Sequence, residues 1–143
     1  MTKFTIDLNM KEEEAEFIED KLIQHNLERA PVKDGPVFEK LGITLRGDDK
    51  KIYGGLIGKF YRSCLFIDIL WVEESLRKHG YGAKMLKKAE EIAVSKKCNF
   101  IHLDTFSFQA PSFYQSNGYE IFGTLEGYPD GVKRYFLNKK INS

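Results

Sequence analysis

Arg77, Lys78 and His79 run directly into Gly80-Tyr81-Gly82-Ala83, and the chemistry this chain can do is concentrated in that stretch. It follows an apolar run, Leu65 to Val72, which is too short for a helix spanning a domain and reads as a buried strand. An amphipathic segment comes next. Strand, glycine turn and helix start together make an anion site. The first amides of a helix have no intrahelical partner, and the macrodipole adds roughly half a positive charge there. Gly80 and Gly82 lack Cβ atoms and let the backbone come close to a bound group. A pyrophosphate is the anion that best fills such a nest, with Arg77, Lys78 and His79 at its rim. One carboxylate, Asp68, stands inside the apolar run, where it needs either a partner or a function.

Other chemistries lack their patterns. No position matches G-x-x-x-x-G-K-[ST], and Gly80-Tyr81-Gly82 is followed by Ala83, Lys84 and Met85 rather than the third glycine of a dinucleotide fingerprint. His25, His79 and His102 are scattered without ligand spacing, so no metal is expected. Cys64 and Cys98 each flank an apolar run and read as reduced structural thiols. A net charge of +1 argues against a nucleic-acid binder driven by bulk electrostatics. No stretch approaches the ~20 apolar residues of a membrane span, and the N-terminus lacks the apolar core of a secretory signal, so the cytoplasm is the expected compartment.

At 143 residues, 42% hydrophobic and 30% charged, the chain is expected to form one domain, 1–143, of mixed α/β class. Residues 3–8 alternate and predict a first strand. Asn9 and Glu12 approximate a capping box, and Ala15, Ile18 and Leu22 carry a helix to about Gln24. His25 to Pro31 reads as a second short helix or an irregular loop. Val37–Leu45, Lys51–Phe60 and Cys64–Val72 predict an antiparallel meander, with Gly54, Gly55 and Gly58 marking bulges or a close backbone approach. A helix from about Gly80 to Lys96 should bury Met85, Leu86, Ala89, Ile92 and Ala93 and expose Lys84, Lys87, Lys88, Glu90 and Glu91. Asn99–Phe106 closes a βαβ crossover and should run parallel to Cys64–Val72. Ala110–Asn117 is a short helix ended by Gly118, and Tyr119–Thr124 and Arg134–Asn138 are two further strands.

Two segments, in this order of elements, carry a family resemblance. Leu70-x-Val72 followed by Arg77-x-x-Gly80-x-Gly82 resembles the acetyl-CoA signature (R/Q-x-x-G-x-G/A) of the GNAT superfamily of N-acetyltransferases. Gln109-Ala-Pro-Ser-Phe-Tyr-Gln-Ser-Asn-Gly-Tyr-Glu120 is similar to the family's A-x-x-F-Y-x-x-x-G-[FY] segment. The resemblance implies the GNAT acyl-CoA N-acyltransferase fold, a central mixed sheet of six to seven strands flanked by helices. It implies acetyl-CoA as co-substrate, held by Leu70, Trp71 and Val72 along the pantetheine arm where the central strand bulges and splays. Arg77, Lys78, His79, Gly80, Tyr81, Gly82 and Ala83 would wrap the pyrophosphate. It also implies Tyr114 as general acid. Many members carry asparagine where this chain has Ser107, a position that would face the cofactor.

The implied reaction is direct attack of a neutral primary amine on the thioester, with CoA leaving as thiolate. Asp68 is the first candidate base, Asp104 the second and Glu73 the third. No acyl-enzyme is expected, because neither cysteine sits in an activating motif. The rival reading is a non-catalytic acyl-CoA-binding or regulatory module on the same fold. Tyr114 beside Phe113 also has a plain reading as a packed aromatic. The acceptor would be a small-molecule or protein amine, chosen by the first helices and by the loops His25–Pro31 and Gly127–Gly131. An acidic first helix suits a cationic one. No nucleic-acid or membrane partner is expected; the oligomeric state is not encoded in a readable pattern, and a homodimer through the C-terminal strands is one arrangement open to the chain.

Overall fold

The structure is a computed structural model that describes residues 1–141. Its contacts divide the chain into two compact units, residues 1–33 and residues from Asp34 onward.

The first unit holds one helix, α1 (Glu12–Arg29), and no strand. The alternation of residues 3–8 therefore does not produce the expected strand: no ladder partner pairs with that backbone, and alternation without pairing is not a sheet. The helix starts two residues later than the Asn9–Glu12 pattern suggests. Glu14 Oε1 accepts the Lys11 amide at 2.8 Å, and Glu12, Glu13 and Glu14 lie in the first turn, where the dipole favours them. It also runs past Gln24 to Arg29, so His25–Arg29 is neither a separate helix nor a loop. Gln24, Asn26 and Glu28 lack the breaker chemistry that would have stopped it before Pro31.

The second unit is a six-stranded sheet in the order β1-β2-β3-β4-β6-β5. Strands β1 (Phe38–Arg46), β2 (Ile52–Tyr61) and β3 (Cys64–Val72) form the expected meander. Helix α2 (Tyr81–Ser95) crosses over to β4 (Phe100–Phe106), which runs parallel to β3. Helix α3 (Pro111–Ser116) begins with its proline in the first turn, where the missing N–H costs nothing. Strand β5 (Glu120–Leu125) then forms the outer edge, and β6 (Arg134–Lys140) inserts antiparallel between β4 and β5. This is the predicted mixed sheet with six strands.

Helix α2 buries Leu86, Ala89 and Ala93 in one cluster with Leu56, Phe60, Leu65, Ile67, Ile101, Leu103 and Leu137, and Met85 is buried as well. Strand alternation sends those sheet residues to one face, while Ile57 and Ile69 pair on the other. Tyr114 and Tyr119 close the same core beside α3. One expectation for α2 fails. Glu90 is not on the solvent face with Glu91 but half-buried against Tyr119 and Lys139.

The central irregularity lies in β3. Ile57 pairs with Ile69 and Gly58 with Ile67, so Asp68 is an extra residue without a partner on β2. A bulge of this kind needs close backbones, and a Cβ built on Gly58 would lie 2.5 Å from the Phe66 carbonyl oxygen. Only glycine fits there. Pairing of β3 with β4 stops at Ile67–Leu103, while β4 continues against β6 through Phe106–Arg134. From Asp68 onward β3 therefore leaves β4 and stays with β2. The expected splay is present, and the bulge that starts it sits at Asp68 rather than at Leu70–Val72. Gly58→Ala should lose about 1–3 kcal/mol of stability in urea unfolding, because a methyl group would drive into fixed backbone. An unchanged midpoint would contradict this packing.

Candidate functional site

The end of β3, the start of α2 and helix α3 meet around Gly82, next to the opening left where β3 and β4 stop pairing. Residues 68–72 of β3 carry alternate amides and carbonyls that point away from β2 and find no partner on β4. At the far end of β3 a short 3-10 turn, Glu74–Leu76, leads to Lys78 at φ 70° and Gly80 at φ 83°. These two left-handed residues turn the chain back so that α2 starts beside the strand end. The first helical hydrogen bond is Lys84 N–H to Gly80 C=O at 3.0 Å, so the amides of residues 81–83 precede the ladder. A Cβ on Gly80 would meet nothing within 4 Å. The nest is open.

Gly82 does something else. A Cβ there would lie 3.4 Å from the Phe113 ring and 3.9 Å from Val72 Cγ2. Its small size lets α3 pack against the start of α2 and the end of β3, rather than giving a ligand access. Tyr81 and Ala83 are half-buried in the same turn, and Lys84 lies over the Tyr81 ring at 5.4 Å. Lys78 and His79 are exposed. Arg77 is exposed too, but its side chain folds back along the loop: its Nε donates to the Val72 carbonyl at 3.0 Å. That bond satisfies the last carbonyl of β3 and fixes the loop to the strand.

The strand residues divide by side. Leu70, opposite Leu56, packs on the core, so only its backbone faces the opening. Trp71, opposite Gly55, is half exposed and is not a core residue. Val72 touches the α2–α3 junction. Asp68 is exposed at the bulge, so the burial that its apolar neighbours suggested does not occur. The extra residue lets a charged side chain leave the core without breaking the strand's pattern. Ser107 lies beyond β4, where its hydroxyl accepts the Lys133 amide at 3.0 Å and its own amide donates to Lys133 C=O at 2.8 Å. Those bonds pin the β4 end to the start of β6.

Tyr114 is the buried titratable group at the site. Burial, and then the Asp104 charge, push its phenol up to about 12. Its ring meets Phe113 edge-on at 5.2 Å and Tyr119 at 6.0 Å. No hydrogen bond ties its hydroxyl to another described residue, and among those residues no buried polar side-chain atom is left without a partner, so the hydroxyl itself keeps contact with solvent. Asp104 is paired with Arg134, whose Nε lies 3.0 Å and Nη2 2.9 Å from its two oxygens. Arg134 escaped sequence reading because the pair spans β4 and β6, diagonal neighbours known only once the register is set. Burial pushes the Cys98 thiol up to about 11, and Cys64 is raised too, so neither is a ready thiolate. Among the described residues no cluster of His, Cys, Asp and Glu could hold a metal ion, and no helix is long and apolar enough to cross a membrane.

A strand that splays from its parallel neighbour, with an open helix start at its end, is the geometry the two sequence segments implied, and comparison with known proteins agrees. The model of the acetyltransferase (GNAT) family matches residues 8–119. The blasticidin-S acetyltransferase of Streptomyces morookaense is 32% identical over 80% of this chain and 85% of its own. The crystal structure of an acetyltransferase from Bacillus cereus superposes with a TM-score of 0.81 at 38% identity, covering 95% of this chain and 97% of that one. A Bacillus anthracis protein solved in complex with acetyl coenzyme A shares the fold at 18% identity, with a TM-score of 0.63 over 71% of this chain and 62% of that one. The chain belongs to the GNAT family of acetyltransferases, and its activity is acetyl-CoA-dependent acetyl transfer.

Proposed function

We propose that this protein acetylates a small-molecule primary amine by direct attack on the thioester, with the cofactor lying along the free edge of β3 and ending at the start of α2. The observation that carries this reading is the stop in β3–β4 pairing at Ile67–Leu103. An extended amide chain is the natural partner for a strand edge left open in this way. The pantetheine arm has the amides to fill it. Its pyrophosphate then meets the amides of residues 81–83 and the left-handed Gly80, while Lys78 offers charge and His79 a ring N–H from outside. Arg77 serves this site through the Val72 carbonyl, by holding the loop in place.

Tyr114 is the group for the departing sulfur. A phenol that titrates near 12 is a weaker acid than a thiol, whose ordinary value is ~8.5, so outright protonation of the thiolate is uphill. Its use is to keep its proton and donate a hydrogen bond as charge develops on sulfur; the thiolate then takes a proton from water, which recovers the one the amine gave to its base. Asp68 and Asp104 are unequal as bases. Asp104 is occupied by Arg134, whereas Asp68 stands exposed at the bulge and is the better candidate to accept the amine proton, directly or through water. Blasticidin S, named for the S. morookaense relative, is the first acceptor to test.

Gly80 gives the cleanest probe of cofactor binding. Aspartate tolerates a left-handed backbone better than most residues, and a side chain there has open space. Gly80→Asp should keep the fold and raise the acetyl-CoA Kd by about tenfold or more in isothermal titration, since its carboxylate would face phosphate. Unchanged affinity would refute the nest.

Tyr114→Phe should lower kcat by about a hundredfold with little change in the acetyl-CoA KM. In wild type the phenol stays protonated far above neutrality, because its folded value is raised. The rate should therefore rise as the amine loses its proton and then hold level to about pH 11. A falling limb near pH 10 that vanishes in Tyr114→Phe would show that the phenol is hydrated rather than buried.

A further inference from the structure

Helix α3 is six residues long, too short to hold its shape unaided, yet it carries Tyr114, the group proposed above to assist the departing sulfur. The Tyr114 carbonyl accepts the amides of both Asn117 and Tyr119, each at 3.0 Å. Asn117 Nδ2 donates to the Phe113 carbonyl at 2.8 Å, so the turn after α3 is closed on the tyrosine's own backbone. Lys139 of β6 reaches that turn and donates to the Asn117 carbonyl at 3.0 Å. The same ammonium lies 3.2 and 3.3 Å from the two oxygens of Glu90 on α2. Glu90 Oε2 also accepts the Tyr119 hydroxyl at 2.8 Å. The Tyr119 ring stands against the Tyr114 ring, with interplanar angle 74°.

We infer that Glu90, Tyr119 and Lys139 form a clamp whose purpose is to hold the Tyr114 ring in its core packing beside the gap between β3 and β4. The three come from α2, the turn after α3 and β6, and they converge on a backbone that would otherwise fray. Side-chain exposures of 17% for Glu90 and 29% for Lys139 shield the pair from water, so its geometry is held more firmly than that of a surface ion pair. The clamp also ties Tyr114 to the helix whose first turn forms the nest, which sets the distance between the two ends of the cofactor site. None of the three is a catalytic residue: they act through Tyr114. Their effect on the rate rests on the reading of Tyr114 proposed above.

The test separates the clamp from that reading. Protein labelled with 3-fluorotyrosine and saturated with CoA gives a 19F resonance for Tyr114, assigned by its loss in Tyr114→Phe. Tyr119→Phe and Lys139→Met should shift or broaden that resonance and leave those of Tyr53 and Tyr61 on β2 in place. Each should lower kcat for acetyl transfer by about tenfold with the acetyl-CoA KM within about twofold, and should add no further loss in a Tyr114→Phe background. A Tyr114 resonance unmoved in both variants overturns the clamp, as does a loss in kcat that persists undiminished without the Tyr114 hydroxyl. If the resonance moves but Tyr114→Phe itself leaves kcat intact, the clamp stands and the role of Tyr114 in the reaction falls. Should Lys139→Met not fold, Tyr119→Phe, which removes a single hydroxyl, carries the comparison alone.

Discussion

Everything at this site depends on two strands that start together and part. One extra residue, Asp68, opposite a glycine that lets two backbones close to within a carbonyl's reach, turns β3 off its parallel neighbour. A continuous sheet would have satisfied every backbone group of β3 and left no edge to offer. Because β2 keeps its hold through Val72, the freed segment remains strand rather than becoming a loop. The opening is therefore made of strand, with the fixed spacing of a strand.

Two helices convert that edge into a site, and both are held by contacts that look incidental in isolation. Gly82 gives Phe113 room to lie between α2 and the end of β3. Arg77 caps the last carbonyl of β3 from the loop side. Gln109 closes the neighbouring strand end, its Oε1 accepting from the Phe106 amide at 2.8 Å and the Thr105 hydroxyl at 3.2 Å. Each of these bonds satisfies a backbone or side-chain group that a parted sheet would otherwise leave bare. The same interruption that creates the binding edge creates the need for these caps.

Much of this was legible from residue patterns. The meander, the crossover, the parallel direction of β4 and the buried stripe of α2 follow from period and spacing, which are local properties. The glycines of β2 announced a close approach, though not which residue opposite them would be squeezed out. What escaped reading depends on partners far away in the chain. Glu90 looks like any acid on a helix's wet face until Tyr119 and Lys139 arrive from 29 and 49 residues further on. Asp68 looks buried until a bulge lifts it out. Residues 3–8 alternate as a strand should, but alternation is a pattern of side chains and pairing is a property of two backbones.

The strand order has a bearing on how the molecule is made. Strand β6 is synthesised after β5 yet lies between β5 and β4, so for a time the emerging chain has α3 and β5 with no seat on the sheet. On a ribosome adding ~5–20 residues per second, the meander, α2 and β4 can assemble first, while the free edge of β4 waits for β6. That interval leaves an apolar strand edge exposed to other chains. Lys139, riding on the late strand, is also the last member of its group to appear, so Tyr114 gains its final surroundings only when the sheet is sealed.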